Sequence, residues 1–218
     1  MADIWTSIQG LVNKQLAPRP VGAVEPHRYA LDRALRVIRT IELLSGLIQR
    51  ELPAQTPART DIIRIAALYA SVPLAGPARS QRSAALDEPL GDAMELAADQ
   101  LPAILSPEDV ELVLRILREY RLRTTTLPEA QILADAIGLE DLGLIGLWNQ
   151  MRSFHAAGRT LDQVVRLWKT QHEYGYWETR LRDDFHFAAA RRVAQLRLES
   201  LAPIYAELMR QQAGEDIV

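Results

Sequence analysis

Apolar residues recur at every third or fourth position along most of the chain, which is the spacing of one face of an α-helix. From Pro26 to Glu51 this stripe is continuous, and it consists of Leu31, Ala34, Leu35, Ile38, Ile41, Leu44, Leu47 and Ile48. The segment from Asp61 to Ser71 is so densely apolar that it is expected to be buried on most sides. No stretch shows the alternation of a half-buried strand. The pattern therefore predicts an all-α protein.

Helix start and stop signals divide the rest of the chain into further helices. Ser106 followed by Pro107 and two acidic residues predicts a capped helix start, and Thr160 with Gln163 predicts a capping box. The last helix is expected to kink at Pro203, because proline removes an internal hydrogen bond. The predicted helical ranges after residue 71 are 87–101, 106–120, 128–136, the segment reaching 154, the segment from 160, and 183–211.

The length of 218 residues is enough for one sizeable core. We interpret residues 26–211 as a single helical domain, preceded by an amphipathic segment over residues 1–25 and followed by a tail over residues 212–218. The N-terminal segment carries apolar residues at helical spacing: Ile4, Trp5, Ile8, Leu11 and Val12. It is expected to dock on its own domain, with a second copy of the chain or a protein partner as the alternatives.

Composition excludes several classes of function. The formal net charge of −3 provides no overall attraction to nucleic acid or to an anionic membrane, so a nucleic-acid partner is not expected. The chain has no cysteine, which excludes disulfides and thiolate metal ligands. No uninterrupted apolar stretch of about 18 residues predicts a membrane span, and the first residues do not read as a secretory signal. The sequence therefore predicts a cytoplasmic protein.

Three segments of the chain resemble bacterial HD-domain proteins. The first resembles that family's Thr-x-x-Glu-Ala, Asp-Ala-Asp and Gly-x-x-Gly motifs, and it runs from Thr126 through Asp135 to Gly143 and Gly146. Arg36-Val37 is similar to a pair that follows the family's first ligand histidine, and residues 185–209 are similar to its C-terminal helix. The resemblance implies a single HD-like helical bundle in a superfamily of metal-dependent phosphohydrolases.

The same resemblance places the family's metal ligands on residues that cannot serve as ordinary ligands. The first histidine falls on Arg33, the His-Asp pair on Ala70 and Ser71, and the final aspartate on Ile137. Alanine and isoleucine have no donor atom, and the fixed positive charge of arginine repels a metal ion. We therefore expect a degenerate member with no metal, no cofactor and no hydrolytic activity.

Other residues do not replace the lost ligands. The four histidines, His27, His155, His172 and His186, include no pair at the i, i+4 spacing that puts two ligands on one helix face. Glu140 and Asp141 are interpreted as charges at a helix start or as solvated charges. No glycine-rich phosphate loop and no nucleophile motif is present.

Arg33 and Arg36 lie one helical turn apart, so two guanidinium groups come to the place of the missing metal. Guanidinium binds phosphate or carboxylate through paired hydrogen bonds, which predicts a site for an anionic small molecule. In the alternative interpretation Arg33 pairs internally with Asp135, Glu129 or Asp32 and the pocket is closed, as the apolar Tyr69, Ala70 and Ile137 suggest.

The sequence thus favours a binding, regulatory or structural protein that does not hydrolyse a substrate. One alternative is an active metal-dependent phosphohydrolase acting on a nucleotide or another phosphate ester. A second alternative is a scaffold subunit of a complex.

Overall fold

The computed structural model describes residues 2–16, 26–54, 57–72 and 88–215. These residues form α-helices with short connections and contain no strand, which confirms the predicted all-α class. The helices are α1 (Ala2–Leu16), α2 (Pro26–Glu51), α3 (Thr60–Ser71), α4 (Glu88–Gln100), α5 (Pro107–Glu119), α6 (Pro128–Glu140), α7 (Gly143–Ala156), α8 (Leu161–Glu173), α9 (Tyr176–Asp183), α10 (Ala188–Glu199) and α11 (Ala202–Gln212). The predicted loop over residues 73–83 lies outside the described residues.

The chain forms two compact units, residues 1–136 and residues 137–218. The division falls inside α6. The single domain expected over residues 26–211 stays a prediction. Across the described ranges, no helix combines the length and the apolar character needed to cross a membrane.

Helix α3 is the centre of the first unit. It packs against α1, α2, α4 and α5, and most of its side chains are buried, as the dense apolar pattern predicted. The phenol of Tyr69 reaches α4, where its hydroxyl lies 3.1 Å from Oε1 of Gln100. Burial raises the pKa of Tyr69 to about 12, so the phenol stays neutral.

The N-terminal helix α1 packs on α2 and α3, which is the expected docking on its own domain. Ile8 and Val12 are fully buried there. Beside them the Arg64 guanidinium lies over the Trp5 ring at 4.2 Å and 3.2 Å from the carboxylate of Glu42. Arg64 therefore links α1, α2 and α3 through one charged group.

Three helices of the first unit begin close to Arg59. Its guanidinium pairs with Asp61 in α3 at 2.9 Å and with Asp109 in α5 at 3.2 Å. Its backbone N–H donates to Glu129 in the first turn of α6. Carboxylates near helix N-termini compensate the positive end of the helix dipole, and Arg59 in turn neutralises the carboxylates.

The predicted capping signals are present. Oγ of Ser106 accepts a hydrogen bond from the backbone N–H of Asp109 at the start of α5. Thr160 and Gln163 form the reciprocal capping box at the start of α8. Both motifs depend only on neighbours three residues away, which explains why the sequence revealed them.

The single long helix predicted over residues 183–211 is wrong, because the structure divides this range into the end of α9, α10 and α11. After α9, residues 184–187 form a turn in which Phe185 is buried, and its ring lies against Gly138. The Arg191 guanidinium holds this turn by donating to the carbonyls of Leu181 and Phe185. The second break precedes Pro203, which lies in the first turn of α11. A proline at this position removes no hydrogen bond, because the first N–H groups of a helix have no partner inside it. The interruption therefore lies just before Pro203, between Glu199 and Ala202.

Candidate functional site

The two arginines of the predicted anion site lie on α2, and both side chains are partly exposed. Each of them already interacts with other groups of the chain. Arg33 and Arg36 are three residues apart on one helix, so their side chains project from neighbouring positions of its surface.

The residues at the expected His-Asp position lie in the last turn of α3. Ser71 is 2% exposed, and its hydroxyl donates to the carbonyl oxygen of Ala67 at 3.0 Å. The hydroxyl proton is therefore used within the helix, so Ser71 is not poised as a nucleophile. Ala70 is partly exposed and contributes no polar atom.

Packing brings together the helices that carry three of the four positions matched to metal ligands. Helices α2 and α3 pack against each other in the first unit, which places Arg33 on one and Ala70 and Ser71 on the other. Ile137 belongs to the second unit and is partly exposed. The last carbonyls of α3 give its end a negative potential, which favours a cationic side chain over an anion.

Of the three carboxylates considered as partners for Arg33, one is shown to bind elsewhere. Oε1 of Glu129 accepts the backbone N–H of Arg59 at 3.1 Å. Asp135 is fully buried and has an interaction partner, as a buried carboxylate requires. Asp32 is exposed on α2.

The second unit contains a polar cluster where α6 turns into α7, and the interpretation of Glu140 as a solvated charge is wrong. Glu140 is 1% exposed, and its negative charge favours the charged form of Arg197. Burial nevertheless lowers the pKa of Arg197. The Arg197 guanidinium also donates to the carbonyl of Leu139, and Asn149 donates to the carbonyl of Glu140 at 3.2 Å.

Asp141, the neighbour of Glu140, is exposed and forms an ion pair with Arg180. The guanidinium of Arg180 lies 3.1 Å from Asp141 and 3.2 Å from Asp184. The mostly buried Arg180 therefore connects the turn after α6 to the end of α9 through these two ion pairs.

Sequence reasoning missed Arg197, although a signal was present. Ala190 and Ala194 are buried on the inner face of α10, and Arg197 follows at the same helical spacing. A charged residue on the apolar face of a helix indicates a buried partner of opposite charge.

The histidines of the described part of the chain are distributed over separate places. His155 and His172 are exposed. His172 stacks on Trp168, and Trp168 also stacks on the ring of Tyr205. Burial lowers the pKa of His186. Among the residues for which side chains are described, no three histidine, aspartate or glutamate side chains are grouped as a metal site requires.

Comparison with known proteins gives no relative: no family model, no curated protein and no solved structure matches this chain.

Proposed function

We propose that the chain is a catalytically degenerate HD-like protein of the cytoplasm that binds, regulates or supports a partner and does not hydrolyse phosphate esters. The observation that carries this proposal is the identity and bonding of the two residues in the last turn of α3. Where the resemblance expects a His-Asp pair, Ala70 offers no donor atom and the Ser71 hydroxyl is occupied by the carbonyl of Ala67. Neither residue supplies the carboxylate or imidazole that a divalent ion needs.

Two structural features support the HD-like part of the proposal. The helix matched to the His-Asp segment lies at the centre of its unit, packed on the helix matched to the first ligand. The matched Gly-x-x-Gly turn needs glycine at both ends: Gly143 has φ +71°, and a Cβ on Gly146 would overlap the Asp141 carbonyl. The similarity in that turn therefore reflects a backbone requirement.

Metal content tests the absence of hydrolysis. We expect the purified protein, after exposure to manganese, iron, nickel and magnesium and then desalting, to retain less than about a tenth of an equivalent of any metal, since a complete four-ligand site holds a transition ion. Retention near one equivalent, with phosphatase activity, would establish the metal-dependent phosphohydrolase instead.

A reconstruction provides the matched positive control. The fourfold variant Arg33→His, Ala70→His, Ser71→Asp, Ile137→Asp restores the ligand types at the matched positions. If the HD-like alignment is right, this variant gains metal that the parent chain lacks. A folded variant that still retains no metal would show that these positions do not form one site.

Anion binding by Arg33 and Arg36 is tested separately. We expect phosphate-bearing ligands to raise the melting temperature of the parent chain, and Arg33→Ala to remove that shift, because only one of the two guanidinium groups then remains to bind the anion. Arg39→Ala is the control, since Arg39 is an exposed arginine further along the same helix. If phosphate, nucleotides and sugar phosphates all leave the melting temperature unchanged, the anion site is refuted. The alternative, a closed pocket in which Arg33 pairs with a carboxylate of the chain, would then be favoured.

The scaffold function is the second candidate, and one surface favours it. Leu144 and Trp148 lie one turn apart on α7 and are 59% and 65% exposed. Exposed tryptophan is typical of binding hot spots. In a pull-down, Trp148→Ala is expected to release a partner that Leu43→Ala retains, because Leu43 is 66% exposed on α2. Equal recovery with both variants would remove this surface from consideration.

A further inference from the structure

Helix α7 is apolar on two opposite sides. Its inner side buries Gly143, Gly146 and Phe154. Leu144 and Trp148 lie one turn apart on the opposite side, and both side chains are mostly exposed. A surface helix ordinarily has polar residues opposite its buried stripe, so a second apolar side indicates that another surface packs there.

The outer side of α7 continues with residue types that protein interfaces favour. Met151 and Arg152 follow Trp148 by three and four residues, so all three share one side of the helix. Met151 is partly exposed and Arg152 is exposed. Leu196 of α10 is 65% exposed and lies close to the start of this side, because its neighbour Arg197 abuts the first residue of α7. Tryptophan, methionine and arginine are enriched where proteins bind each other. The outer stripe of α7 thus consists of Leu144, Trp148, Met151 and Arg152.

The charge around the outer stripe indicates the chemistry of a partner. Helix α7 contains no acidic residue, and Arg152 and Arg159 are exposed at its C-terminal end or just after it. The acids closest in sequence to the two ends of the helix already bind within the unit. Asp141 pairs with Arg180, and Asp162 accepts a hydrogen bond from the last residue of α11. The outer stripe is therefore flanked by positive charge, although the formal net charge of the chain is −3.

We propose that the outer stripe docks an acidic, amphipathic segment of another protein, whose apolar side chains cover Leu144 and Trp148 and whose carboxylates pair with Arg152 and Arg159. This inference rests on the scaffold function and names the chemistry of its partner. A second copy of the chain is a poor occupant, because a two-fold contact would bring the same arginines of both copies together. Pairs of guanidinium and carboxylate at the edge of a contact fix which partner is accepted.

A peptide selection tests the chemistry of the partner. A library of random peptides of about 16 residues, long enough for four helical turns, is displayed on phage and selected on the full chain. Peptides that also bind the Trp148→Ala variant are removed beforehand. Enriched peptides are synthesised with a fluorescent label, and their Kd is measured by anisotropy at low and at physiological salt. We expect them to be acidic, with large apolar residues three or four positions apart.

Variants of the outer stripe connect the selected peptides to this surface. Trp148→Ala and Arg152→Glu are each expected to raise Kd at least about tenfold, and the second also to reduce the dependence of Kd on salt. Leu43→Ala and Arg39→Glu are the controls, because they remove an exposed apolar side chain and reverse an exposed charge on α2. Circular dichroism verifies the fold of each variant, and Leu144→Ala replaces Trp148→Ala if the latter does not fold.

Several outcomes would overturn the proposal. Selected peptides that are neutral or basic, or that bind all variants equally, would do so, and so would a selection that enriches nothing. Binding of anionic lipid vesicles or of single-stranded RNA through Trp148 and Arg152, with no acidic peptide selected, would do so as well. The metal-retention test and the pull-down with Trp148→Ala do not depend on the charge of the partner, so the proposed function and this inference can fail separately.

Discussion

The side chain of Arg197 lies directly against Gly143: a Cβ added to that glycine would be 3.1 Å from Cβ of Arg197. The same arginine donates to the carbonyl of Leu139 and lies near the buried Glu140. The turn between α6 and α7 therefore needs glycine at position 143, because the side chain of Arg197 occupies the space that a Cβ would take. Arg197 also places a positive charge beside this turn.

Gly146→Ala is expected to unfold or strongly destabilise the second unit, because its Cβ would overlap the backbone carbonyl of Asp141. Backbone cannot move aside as a flexible side chain can, so we expect a loss of at least about 3 kcal/mol. The measurement is urea unfolding followed by circular dichroism.

Gly46→Ala is the control, since nothing lies within 4 Å of its added Cβ inside α2. It is expected to gain about 1 kcal/mol. Equal stability of the two variants would contradict this account of the turn.

Arg197→Met is expected to lower the free energy of unfolding by about 2 kcal/mol, because it removes the cation near buried Glu140. The double variant with Glu140→Gln should lose less stability than the sum of the two single changes, since the charge of Glu140 acts on Arg197. A double-mutant cycle in urea measures the coupling between the two residues. Additive effects of the two changes would show that the charges do not interact.

Protonation of His186 is expected to lower the free energy of unfolding under mildly acidic conditions. Burial lowers its pKa from the ordinary value of 6.5, so the folded state disfavours the protonated ring. The stability linked to this group is present above pH 6.5 and is lost as the pH falls toward the lower pKa of the folded state. His186→Gln should flatten the dependence of the unfolding free energy on pH below neutrality. The exposed His155→Gln serves as control, and an unchanged slope in the His186 variant would refute the linkage.

Ile8→Ala is expected to destabilise the first unit by about 3 kcal/mol, because it empties a fully buried position between α1 and α3. Gln9→Ala, at a partly exposed position of α1, is the control and should alter stability by less than about 0.5 kcal/mol. Thermal unfolding of both variants checks the prediction. If both variants change the stability by a similar amount, the packing of Ile8 against the first unit does not stabilise the fold.

The sequence by itself determined the features that depend on neighbours a few residues away. Helical spacing predicted α2 and the buried character of α3, and the caps at Ser106 and Thr160 followed from residues three positions apart. These contacts form within one or two helical turns, so their geometry is fixed by the chain alone.

Tertiary structure decided the burial of Glu140, the break at Phe185 and the partner of Glu129. Glu140 is buried, and its charge acts on Arg197, which lies more than fifty residues away along the chain. The ring of Phe185 lies against Gly138, in a turn between two helices. The carboxylate of Glu129 accepts the backbone N–H of Arg59, whereas the sequence had suggested Arg33 as one of its partners. A polar group can exchange water for any partner that folding brings near, and a helical pattern cannot encode which partner arrives.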